Sequence, residues 1–130
     1  VLKYKPKKVV FFCGGNDIAR GKSSERVAED FDTFTKLLFK QLPKTELIVL
    51  ALKPAPIRWG IVDKVRETND LLRAKAKKDK RVTFLDGSFD LLLDGDKIRE
   101  ELFIEDRLHM NDDGYKLWSD MLAPHLGIKR

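Results

Sequence analysis

The stretch VVFFCGGND, residues 9–17, runs from an unbroken apolar segment into paired glycines and then Asn-Asp. Short apolar runs rich in β-branched and aromatic residues are typical of strands buried on both faces of a parallel sheet. Two further runs share this character, ELIVLAL at 46–52 and RVTFLD at 81–86. Helical patterns separate the three. From Ser24 to Gln41, Val27, Phe31, Phe34 and Leu38 recur at helical spacing. From Gly60 to Lys78, Ile61, Val65, Leu72 and Ala76 make a second stripe, with Thr68 and Asn69 in its middle. A last helix is predicted from Asp112 to about Pro124, through Leu117, Trp118, Met121 and Leu122. Strands alternating with helices specify an α/β domain with right-handed crossovers. Ligands of such sheets bind beyond the carboxyl ends of the strands. Functional residues are therefore expected after Cys13, Leu52 and Asp86.

Composition narrows the class. At 130 residues, 42% hydrophobic and 36% charged, the sequence describes one globular domain rather than a disordered chain. It shows no apolar run of spanning length and no signal-peptide pattern, so no membrane span is expected and the compartment stays unread. The single cysteine, Cys13, excludes an internal disulfide and is read as a small buried thiol. Two distant histidines and one cysteine make no metal site, and no cofactor is expected. The net charge of +5 raises the question of nucleic acid. Its basic runs, KYKPKK near the start and RAKAKKDKR at 73–81, carry no interleaved aromatic residues beyond Tyr4 and read as solvated faces. No nucleic-acid partner is expected.

Gly21-Lys22-Ser23 suggests a phosphate-binding loop, but the spacing argues against it. That motif needs a glycine, four residues and then Gly-Lys-Ser, and the required position holds Asn16. Gly15 lies one residue too far away, which changes how the backbone would wrap a phosphate. On the alternative reading Lys22 is a surface residue and Ser23 or Ser24 caps the following helix.

Near the other end, DRLHMNDDGY at 106–115 sets Asp106 and His109 three residues apart, just before the last helix. A carboxylate beside an imidazole fixes its tautomer and stabilises its protonated form, which is what a general base needs. Together, GGND at 14–17 and DRLHMNDDGY resemble the third and fifth sequence blocks of the SGNH hydrolases, also called the GDSL esterase/lipase family. Glu101-Leu102-Phe103, Gly114-Tyr115 and Trp118 fit the surroundings of the last block, and PAPIRW at 54–59 resembles the loop after the middle strand in some members. The resemblance extends from Lys7 to Leu126.

This resemblance implies a flavodoxin-like three-layer α/β/α fold, here with about three strands, and a single domain over 1–130 forming the C-terminal portion of the family's full domain. It implies a serine ester hydrolase working through an acyl-enzyme. Asn16 would offer its amide to the oxyanion, His109 would act as general base and then acid, and Asp106 would orient it. Asp17 is expected to hold the loop, and Asn111 or Asp112 to cap the last helix.

The nucleophile is not legible in these residues. In the family it belongs to a Gly-Asp-Ser block upstream of GGND. Ser23, Ser24, Ser88 and Ser119 lack a strand-to-helix elbow and read as caps, turns or surface residues. The chain is accordingly expected to be part of a longer enzyme and inactive without that segment. A truncated relic or a binding module are the alternatives. The edge strand at 9–13 is expected to be covered by an N-terminal segment or a second chain. The substrate class is a small-molecule, lipid or sugar ester, with Arg58 and Trp59 expected in the pocket wall.

Overall fold

The computed structural model describes residues 7–12 and 15–127. Strands β1 (Lys8–Phe11), β2 (Glu46–Leu50) and β3 (Val82–Leu85) form a parallel sheet in the order β1-β2-β3. Val10 pairs with Ile48, and Ile48 with Thr83. The sequence order places each crossover helix against the sheet, with α2 (Ser24–Gln41) after β1 and α3 (Val62–Ala76) after β2, the two packing together. The helix α5 (Asp112–Leu122) closes the fold.

Alternation along β1 separates two layers. Val9 and Phe11 turn toward the main core of Phe31, Leu38, Leu47, Val49, Val65 and Leu72, and the Phe11 ring meets those of Phe31 and Phe34. Phe12 turns the other way, meeting the Trp118 indole of α5 edge-on at 5.0 Å. Helices therefore lie on both faces, as the three-layer expectation requires. A second core of Ala55, Leu92, Leu102, Phe103 and Met110 underlies α5.

The expectation of three doubly buried strands holds for β2, where Leu47 to Leu50 are all buried, but not for its neighbours. β1 and β3 are only half-buried because each has a single neighbour in the described sheet, and Val10 and Phe12 stay 40% and 45% exposed. Cys13 and Gly14 lie outside the described residues. Polar residues inside the apolar stripe of α3 have specific partners. The Thr68 hydroxyl donates to Ser24 Oγ at 2.8 Å, and Asn69 reaches the end of β2. Several short elements were not expected: α1 (Gly15–Ala19), α4 (Gly87–Asp90), and a hairpin of β4 (Leu93–Asp94) and β5 (Lys97–Ile98) that turns at Gly95, for which Asp94-Gly95 is the sequence signal. The basic run at 73–81 is partly neutralised within the fold. Arg73 pairs with Asp70 and Asp86, Lys75 with Asp32 and Arg81 with Asp79. No helix among the described residues is long and apolar enough to cross a membrane.

Candidate catalytic site

The Asp106–His109 turn is built by backbone pairing on either side of it. Phe103 and Met110 form an antiparallel bridge, His109 O accepts from Ile104 N at 3.0 Å, and Leu102 O accepts from Asn111 N at 2.8 Å. Reversing the chain puts Arg107 in the left-handed region, at φ 56°. Below the turn, Asn111 caps α5 by accepting from Gly114 N. Residue 114 must be glycine for a packing reason. A Cβ there would lie 2.8 Å from both Leu102 O and Met110 Cβ, closer than such atoms approach.

Within this turn Asp106 uses both carboxylate oxygens. Oδ1 accepts from the backbone N–H groups of Leu108 and His109, each at 2.9 Å, and Oδ2 lies 2.5 Å from His109 Nδ1. The His109 side chain, followed by those two backbone donors, lowers the Asp106 pKa to about 2. An ionised carboxylate on Nδ1 keeps a hydrogen there and leaves Nε2 with its lone pair. The His109 side chain is 62% exposed, so Nε2 is open to an incoming group.

Asn16 sits in the first turn of α1, directly beyond β1, and is exposed rather than held in an irregular loop. Its Oδ1 accepts from Arg58 Nη2 at 2.8 Å. Arg58 and Trp59, expected in a pocket wall, are both half-buried in a 3₁₀ turn over Pro56–Ile61. Asp17 faces Lys22 at 3.7 Å, and Lys22 pairs more closely with Asp30 at 2.7 Å. Ser23 caps α2 by accepting from Arg26 N. The Gly-Lys-Ser stretch is thus occupied with local structure.

The segment that follows β2 joins the two halves of the site. Lys53 donates from Nζ to Leu108 O at 2.5 Å, and Ile57 N donates to Arg107 O at 3.0 Å. One residue further on, Arg58 reaches Asn16. The base of this strut is fixed by buried polar groups. Asn69 of α3 accepts from Leu52 N at 2.7 Å and donates to Leu52 O at 3.1 Å, while Ser88 donates to Ala51 O at 2.7 Å. Burial, then the nearby Arg58 charge, lowers the Lys53 pKa from 10.5 to about 8, against the opposing pull of Asp106. Of the serines read as caps, turns or surface residues, Ser24 and Ser88 are buried, Ser24 accepting from Thr68 and Ser88 donating to Ala51 O.

Sequence reasoning missed Lys53 and Asn69. The available signals were a lysine directly after an apolar strand and an asparagine within an apolar helical stripe, since buried amides need partners. Among the described residues, no cluster of three or more His, Cys, Asp or Glu could hold a metal.

The family model of the GDSL-like Lipase/Acylhydrolase family matches residues 1–117. The chain belongs to this family. No curated protein matches it significantly. Among solved structures, a protein from Streptococcus pneumonia provisionally described as a platelet activating factor superposes with TM-score 0.82 at 23% identity, over 92% of this chain and 59% of its own. A GDSL-like lipase from Bacteroides thetaiotaomicron gives TM-score 0.80 at 20% identity, over 98% and 65%. A carbohydrate esterase family 3 protein from Talaromyces cellulolyticus gives 0.72 at 16%, over 96% and 59%. At such identities the likeness establishes a common fold. This GDSL-like chain therefore spans less than two thirds of the length of each of these structures.

Proposed function

We propose that this GDSL-like domain carries the acid–base and oxyanion parts of a serine ester hydrolase. The observation that carries the reading is the hydrogen-bonded Asp106–His109 pair, tied by one strut to Asn16. The nucleophile is a serine outside these residues, on a strand that pairs with the exposed edge of β1. His109 Nε2 takes the serine proton as its oxygen attacks the ester carbonyl, and Asp106 stabilises the imidazolium. The Asn16 amide donates to the oxygen on which negative charge develops. One such donor is typically worth about a hundred- to a thousand-fold in rate. His109 then returns the proton to the departing alcohol, and water repeats the sequence to free the acid. The substrate is a carboxylic ester of a small molecule, lipid or sugar, and none of these steps calls for a cofactor.

The test is hydrolysis of a short activated ester. The 130-residue chain by itself is expected to stay at background. A longer chain bearing the serine segment is expected to turn over, and His109→Ala to abolish it. Full activity in the longer His109→Ala protein would overturn the reading. So would hydrolysis by the 130-residue chain that survives rigorous purification.

A further inference from the structure

We propose that Arg58 is a positioning residue that sets which way the Asn16 amide points; the inference rests on the hydrolase reading above. An asparagine amide is nearly symmetric in shape but not in chemistry, because one end only accepts and the other only donates. If Asn16 is to stabilise an oxyanion, its NH₂ must face the reacting carbonyl. In water the two orientations interconvert at little cost, and the wrong one presents a lone pair to the developing negative charge. Something must choose between them.

The guanidinium makes the choice. Arginine has N–H donors and no acceptor, so its contact with Asn16 is possible only through Oδ1. That contact is 2.8 Å long and joins side chains 42 residues apart. With Oδ1 held by Arg58, the two Nδ2 hydrogens project to the opposite side. The cation has a second effect. Drawing electron density toward Oδ1 polarises the amide and strengthens Nδ2–H as a donor, as in any chain of hydrogen bonds.

Arg58 is itself anchored to the base. Its backbone departs from helical geometry at φ −110°, ψ 17°, and its N–H donates to Ala55 O at 3.0 Å. Directly before it, Ile57 N holds Arg107 O in the Asp106–His109 turn. A shift of that turn is therefore transmitted to the residue that orients the oxyanion donor. Asn16 is exposed on the five-residue helix α1, and the contact of its side-chain amide with Arg58 comes from outside that helix. The choice of arginine over lysine follows from shape. A planar fork holds one amide oxygen in a fixed direction, whereas an ammonium on a flexible stem holds it only by distance.

The experiment uses the longer, serine-bearing protein and the variants Arg58→Met, Arg58→Lys, Asn16→Ala and Asn16→Ala/Arg58→Met. Steady-state kinetics would be measured on p-nitrophenyl acetate, with thermal melting of each variant. Arg58→Met is expected to lower kcat by about ten- to a hundred-fold, less than loss of the donor itself, with KM nearly unchanged. Arg58→Lys is expected to recover part of that loss. In the Asn16→Ala background Arg58→Met should cost nothing further, because its effect runs through the amide. The side-chain NH₂ resonances of Asn16, followed by ¹⁵N NMR, supply a readout without turnover. They should be displaced in the wild type and relax toward those of a free asparagine in Arg58→Met. Should the Met variant melt early, Arg58→Lys carries the same comparison.

Independent, multiplying losses in the double variant would overturn the inference. A raised KM with unchanged kcat would do so too, since it would make Arg58 a substrate-binding residue. Unchanged Asn16 resonances in Arg58→Met would be equally fatal. Full activity in both Asn16→Ala and His109→Ala would instead remove the hydrolase reading, and the NMR comparison would still decide the orientation of the amide.

Discussion

Asp106 accepts from two backbone N–H groups through one oxygen and from the His109 ring through the other, and the two tasks can be separated. Asparagine at 106 retains a carbonyl oxygen for the backbone donors but lacks the charge that stabilises an imidazolium. Asp106→Asn is therefore expected to lower the melting temperature only modestly, while lowering kcat of the serine-bearing protein on the order of 10³- to 10⁴-fold. A loss of activity that tracks unfolding would contradict this. Lys53 offers a pH test. Its pKa falls from 10.5 to about 8 on folding, so between those values the unfolded chain binds more protons than the folded one. Unfolding free energy contributed by this group therefore rises with pH from about 8 to 10.5. Denaturant titrations across that range should show the rise in the wild type and a flatter profile in Lys53→Met. Equal slopes would mean that the ammonium is not desolvated. The slope has the same sign for Asp106, whose depressed pKa makes its contribution present above 3.8 and lost as pH falls toward 2.

Among the elements, α3 does more than cover the sheet. Its Thr68 and Asn69 interrupt an apolar stripe, which would be destabilising if they were unpartnered. Asn69 instead satisfies both backbone groups of Leu52 where β2 has run out of ladder partners. That point is the root of the strut carrying Lys53, Ile57 and Arg58. Asn69→Leu should strand a buried N–H and a buried C=O, costing on the order of 2 kcal/mol or more in urea unfolding. The same variant should also loosen the strut, visible as faster hydrogen exchange at the Ile57 amide, which donates to Arg107 O. A Leu variant as stable as wild type would show that water replaces the amide there.

For the whole molecule, the informative feature is the unequal burial of the sheet. β2 is enclosed, while β1 presents Val10 and Phe12 on a flank that holds Trp118 of α5. Edge strands with free backbone groups and apolar side chains pair readily with another strand. In the proposed enzyme that neighbour is the serine-bearing segment, which would place the nucleophile beyond β1 and close to Asn16. Backbone amides of Val9 to Phe11 that face away from β2 should exchange rapidly in the 130-residue chain and become protected in the longer protein. Identical protection in the two would place the serine segment elsewhere.

Local periodicity explains what the sequence determined by itself. The stripe from Val27 to Leu38 yields a helix with the expected bounds, Ser24–Gln41, because burial of one face repeats at the helical period. The pairing of Asp106 with His109 was also legible, since three residues of chain keep the groups within reach. So was the cap of α5, expected at Asn111 or Asp112 and found at Asn111. The elements α1 and α4 are too short for any period to register, and the local mark of the β4–β5 hairpin is its Asp94-Gly95 turn. Tertiary structure alone decided which strands are enclosed, because that depends on sheet order and not on the apolar run itself. It alone brought Arg58 to Asn16, Lys53 to Leu108 and Asn69 to Leu52, across separations of 42, 55 and 17 residues. Those contacts form only after the crossovers have placed the strand ends side by side, so no pattern along the chain could have announced them.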